Sequence, residues 1–144
     1  MKIHRIPEKT SCVIFDIDST LYTNEAYARE QVDVQIRHFA SLRGMTADEA
    51  RKAIGDWRDG YARSHGRKVS LGNALVHFGV PISESIRWRE ELIEPARFLE
   101  RDERLRETLD ALANRFTLVA VTNNPTLPAG KTLDALGVRD AFID

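Results

Sequence analysis

The sequence predicts an α/β fold: a short parallel sheet whose first two strands are separated by an inserted, all-helical segment. Three observations carry this expectation. Residues 12–15 (CVIF) and 116–121 (FTLVAV) are short apolar runs rich in β-favouring side chains, the pattern of strands covered on both faces. The hundred residues between them read almost entirely as helix and turn. The helical pattern that precedes the second run leads straight into it, as the crossover of a βαβ unit does.

Each element follows from local chemistry. The first run ends in Asp16 and makes a central parallel strand with Cys12, at its head, as a small buried side chain. After Asn24, Val32, Ile36, Phe39 and Ala40 fall on one helical face, and Gly44 is placed to stop that helix. Thr46 and Glu49 make a capping box for a second helix, continued at helical spacing by Ala50, Ala53, Ile54, Trp57 and Tyr61. Ser70 caps a third, shorter helix with Leu71, Ala74, Leu75 and Phe78, closed by Gly79 and the Val80-Pro81 step. A fourth runs from Ser83 towards Leu92, and Pro95 breaks the pattern. Asp102 then caps a helix with Leu105, Leu109 and Leu112 on its apolar face. After the second strand comes the loop signal Thr122-Asn123-Asn124-Pro125, a helix near residues 131–136 closed by Gly137, and at residues 141–144 the start of a third strand. The expected division is a core of residues 1–21 and 98–144 and a helical cap of residues 22–97.

Composition narrows the function. The 144 residues carry 21 Lys plus Arg against 22 Asp plus Glu, so there is no standing basic field for nucleic acid or a membrane surface. The first ten residues, MKIHRIPEKT, have no apolar stretch of the signal-peptide kind, and the longest apolar runs are strand-sized. The expected location is cytoplasmic, and any anionic substrate must be held by local groups rather than by a general basic field.

The chemistry sits at the strand ends. Asp16 and Asp18 flank Ile17, and in extended chain residues two apart point the same way. Open α/β sheets form their ligand crevice at the carboxyl ends of strands, which would set the two acids beside Thr122. Paired carboxylates suit phosphoryl transfer with Mg2+, a hard cation that takes oxygen ligands and neutralises phosphate charge. One acid attacks and the other shuttles a proton, with hydrolysis passing through an acyl phosphate. The plainer reading is that Asp16 and Asp18 cap the next helix or shape a turn.

The segment FDIDSTLY (residues 15–22) resembles the first motif of haloacid dehalogenase (HAD) superfamily phosphatases, and Val121-Thr122-Asn123 resembles the second. The match is closest to the pyrimidine 5'-nucleotidase-like subgroup. The resemblance implies a Rossmann-like core with an inserted helical cap and a Mg2+-dependent phosphomonoester hydrolase, with nucleoside monophosphates as the favoured substrates. It implies Asp16 as nucleophile and Mg2+ ligand, Asp18 as general acid/base and Mg2+ ligand through its carbonyl, and Thr122 as phosphate anchor assisted by Asn123. An acid at position 18 points to phosphatase or phosphomutase rather than dehalogenase. The family's third and fourth motifs, a phosphate-binding Lys and a further acidic group, have no counterpart here. The expectation is therefore either a piece of a longer protein or a second copy covering the open edge of a truncated sheet. A non-catalytic module that keeps only the first two motifs is the alternative.

Other features carry less. Residues 125–132 (PTLPAGKT) nearly match a P-loop, but Pro125 and Pro128 remove backbone N–H groups that cradle phosphates, so the segment reads as a helix start. Lys131 reads as a helix lysine. His38, His65 and His77 have no metal-ligand spacing. Trp57, Tyr61, Phe78 and Trp88 read as core, with a base-binding pocket as the sharper option. The interleaved Arg and Glu of residues 87–107 read as solvated helix faces.

Overall fold

The computed structural model describes residues 9–143. The chain divides into two compact units: one built from the described residues up to Asn24 together with the chain from Pro95 on, the other Glu25–Glu94. The junctions lie at 24/25 and 94/95, three residues inside the segment expected to be inserted.

The first unit is mixed α/β. Strand β1 (Cys12–Asp16) pairs in parallel with β2 (Thr117–Val121), in a register that sets Ile14 beside Val119 and Asp16 beside Val121. The crossover between them ends in helix α5 (Glu103–Ala113), whose N-cap Asp102 accepts a hydrogen bond from the Leu105 amide at 2.9 Å. Leu109 on α5, Leu118 on β2, and Leu133 and Leu136 on helix α6 (Thr126–Leu136) are buried, as is Val138 beyond it. Gly137 closes α6 with φ 73°, which a side chain would resist.

Four expectations change here. The sheet is covered on one face only: Ile14 is 67% and Val121 54% exposed, and Cys12 is exposed rather than buried. Residues 12, 14 and 16 share one side of the pleat and Val13 and Phe15 the other; Phe15 meets Phe142 edge to face at 6.0 Å. Helix α6 starts at Thr126, five residues earlier than the apolar pattern implies. Pro128 sits in its first turn, where a missing N–H costs no intrahelical bond. That makes residues 126–132 helix, not a phosphate-cradling loop. In place of a third strand, a 3-10 turn (Arg139–Ala141) is followed by extended chain with one rung, Ile143 N donating to Leu118 O at 3.1 Å; Asp144 lies outside the described residues.

The second unit is all helical: α1 (Glu25–Arg43), α2 (Ala47–His65), α3 (Leu71–His77) and α4 (Ile82–Leu92). Gly44 turns the chain with φ 64°, and Thr46 and Glu49 then form both halves of the capping box. Ser70 caps α3 by accepting from Asn73 N at 3.2 Å. Ile36, Phe39, Ala40, Ala50, Ile54, Ala74, Leu75, Val80 and Trp88 form one core. Val32, expected on the buried face of α1, is 40% exposed. No helix among the described residues is long and apolar enough to cross a membrane.

Trp88 is the largest buried side chain, and its Nε1 donates to Glu84 at 2.8 Å. Trp88→Ala should destabilise the chain by about 3–5 kcal/mol through the cavity it leaves, measured by urea denaturation. Hydrogen bonds from Arg87 and then Trp88 hold the Glu84 carboxyl below its ordinary 4.5. A depressed folded-state value stabilises above the unfolded one and is lost as pH falls through the folded one. Stability should therefore drop as pH falls below 4.5, and Glu84→Gln should flatten part of that drop.

Candidate active site

The carboxyl ends of β1 and β2 place the acids and the hydroxyl loop together. Asp16 is the last residue of β1, exposed, and its Oδ1 accepts from the Ile17 amide at 3.0 Å. Ile17 is buried at 2% exposure, so the chain is pinned between the two acids by an apolar anchor. A tight turn follows. Leu21 N donates to Ile17 O at 3.0 Å, Asp18 and Tyr22 form an isolated backbone bridge, and Ser19 sits at φ 61°, a left-handed conformation unfavourable for a residue with a Cβ.

Asp18 is the hub. Its Oδ1 accepts from the Tyr22 hydroxyl. Its Oδ2 accepts from the Thr122 hydroxyl at 3.3 Å and from Asn124 Nδ2 at 2.6 Å. The Thr122 oxygen in turn accepts from the Asn124 amide at 3.0 Å, a turn that folds the loop after β2 back onto Asp18. Because β2 ends at Val121 and α6 begins at Thr126, this loop is four residues long and has little slack.

Of the four residues expected at the site, the structure brings Asp18 and Thr122 into direct contact and sets Asp16 at the adjoining strand end. Asn123 is exposed, and the neighbouring Asn124 is the one that holds Asp18. Sequence reasoning missed Asn124 and Tyr22. The signal for Tyr22 was its place four residues after Asp18 within a turn; for Asn124, two adjacent asparagines gave no means of choosing between them.

For a divalent cation, which prefers hard oxygen donors, the site offers the exposed carboxylate of Asp16, while the Asp18 carboxylate is engaged by Tyr22, Thr122 and Asn124. Mg2+ is held by one or two carboxylates with water filling the remaining positions, so this donor set fits it. Among the described residues, no three or more His, Cys, Asp or Glu side chains gather into a metal-binding group. Lys131 lies within α6.

No family model matches the chain, so its own geometry is what distinguishes the two asparagines. Asn124→Ala removes a hydrogen bond to a carboxylate and should cost about 1.5–3 kcal/mol. Asn123→Ala, at an exposed position, should stay within about 0.5 kcal/mol of the parent. Paired denaturation curves check both.

Proposed function

We propose that the chain is a Mg2+-dependent phosphomonoester hydrolase of the HAD superfamily, working through a phospho-Asp16 intermediate. The observation that supports this best is the convergence at Asp18: an acid two residues beyond the exposed end-of-strand Asp16, bonded by the hydroxyl and amide of the loop that follows the neighbouring parallel strand. A capping or turn-forming role accounts for Asp16, whose oxygen bonds the next amide. It does not account for a second acid held by side chains 104 and 106 residues away.

In this reading the Asp16 carboxylate attacks phosphorus in line, and the bond from phosphorus to the substrate oxygen breaks as the acyl phosphate forms. Asp18 gives its proton to the departing oxygen. It then takes a proton from water, which attacks the acyl phosphate and releases inorganic phosphate and the Asp16 carboxylate. Asp18 is oriented for this role by three partners, the Tyr22 hydroxyl on Oδ1 and the Thr122 hydroxyl and Asn124 amide on Oδ2. Bound Mg2+ would neutralise the phosphate charge that otherwise repels Asp16. Thr122 supplies a hydroxyl for the phosphoryl oxygens.

Nucleoside monophosphates are the substrate class proposed, and a phosphomutase would use the same two acids with a sugar hydroxyl in place of water. A second copy of the chain along the outer edge of β1 belongs to the same proposal; sedimentation of an active chain as a monomer would remove it.

Phosphate release from an aryl phosphate with Mg2+ is the direct test. Asp16→Asn should abolish it with the fold intact by circular dichroism, and Asp18→Asn should lower kcat by about 10²–10⁴. Tyr22→Phe should lower kcat more than it raises KM, because Tyr22 orients the acid and not the substrate. Equal release by the parent and Asp16→Asn would overturn the mechanism, and a folded parent with no release would leave a non-catalytic module.

A further inference from the structure

We infer that the helical unit carries a binding pocket of its own for a planar aromatic ring bearing a phosphate group. A cavity of about 320 Å3 opens between the second half of α2 and the start of α3, lined chiefly by Trp57, Tyr61, Arg67, Lys68, Ser70 and Asn73. The aromatic spacing on α2 alone implies core; in the fold both rings are only partly buried and line this cavity.

The aromatic wall is built before any ligand arrives. Trp57 stacks on His77 with ring centres 4.6 Å apart and 18° between planes, Tyr61 stacks on His65 at 4.0 Å and 7°, and Trp57 meets Tyr61 at 5.4 Å. Such a four-ring ladder leaves little ordering cost for binding to overcome. The segment that brings the cations is also fixed, by Arg58 Nε donating to Val69 O at 3.1 Å and by an Arg67 Nη2 bond to the Tyr61 hydroxyl at 3.4 Å. Ser70 Oγ accepts from Asn73 N, so its own proton remains to be donated.

Charge selects the ligand. No acid is among the lining residues, and neither Arg67 nor Lys68 forms an ion pair among the described residues. The larger cavity of the α/β unit, about 900 Å3, shows the contrast: its Arg101, Arg106 and Arg139 are already bound by Glu103, Asp110, Asp140 and Asp134. An adjacent arginine and lysine suit a phosphate, which a guanidinium can grip with two parallel bonds. A volume near the low end of the usual range of about 300–1,000 Å3 admits one ring and one phosphate, not a dinucleotide.

This pocket does not depend on hydrolysis at Asp16. The test is calorimetric titration of the full Asp16→Asn chain, which spares the probe, with adenosine 5'-monophosphate. Adenosine and ribose 5-phosphate each omit one half of the recognition, and each should bind at least tenfold more weakly. Arg67→Glu combined with Lys68→Glu, both exposed positions, should weaken the monophosphate at least tenfold with the fold unchanged by circular dichroism, and Arg67→Gln with Lys68→Gln should do so to a smaller degree. Phenyl phosphate binding as tightly as the nucleotide makes any aryl phosphate a ligand; weaker binding narrows the class to nucleotides. No binding at millimolar monophosphate, or an affinity unchanged in both double variants, overturns the proposal.

Discussion

The α/β unit hangs on a junction between two stretches of chain that have no local reason to meet. Five rungs of parallel pairing align β1 with β2, and just beyond the last rung Thr122 and Asn124 close on Asp18. The pairing fixes where the two loops emerge; the hydrogen bonds fix how they face each other. Parallel strands cannot be joined by a tight turn, so the loops at their carboxyl ends approach side by side. The strain at Ser19 and the short loop before α6 have a common origin: both chains must turn at once within reach of one carboxylate.

Much of this was legible in the sequence because it is dictated locally. The capping box of Thr46 and Glu49, the stop at Gly44, the Ser70 cap and the Asp102 cap are each decided by a few adjacent residues. The two strands and their parallel relation follow from apolar runs separated by helix. What could not be read is what depends on covering. A run such as CVIF is apolar at every position and looks alike whether one face or both are covered, and the structure leaves Ile14 and Cys12 on the uncovered one. The start of α6 was hidden for a different reason. Pro125 and Pro128 mark a helix start without saying which residue begins it, because a first turn accepts proline at several positions without losing a hydrogen bond.

The site divides the same way. Asp16, Asp18 and Thr122 stand at strand ends that periodicity alone can locate. The choice of Asn124 over Asn123 rests on the direction of one side chain after a turn, which no spacing rule encodes. Tyr22 is nearly buried, at 9% exposure, so burial and bonding to Asp18 explain its place together, and its residue type alone would suggest only the first.

The order of the chain also has a consequence for how the protein comes off the ribosome. Ile14 must wait for Val119, 105 positions later, before its strand has a neighbour, which at common synthesis rates of about 5–20 residues per second is a delay of roughly 5–20 s. During that interval the whole helical unit emerges, and the buried residues of its core cluster all lie within Ile36–Trp88. The helices can thus be packed while the first strand is still an unpaired, apolar segment. Translation is therefore an interval in which the unpaired edge of that strand is open to other chains before β2 exists to pair with it.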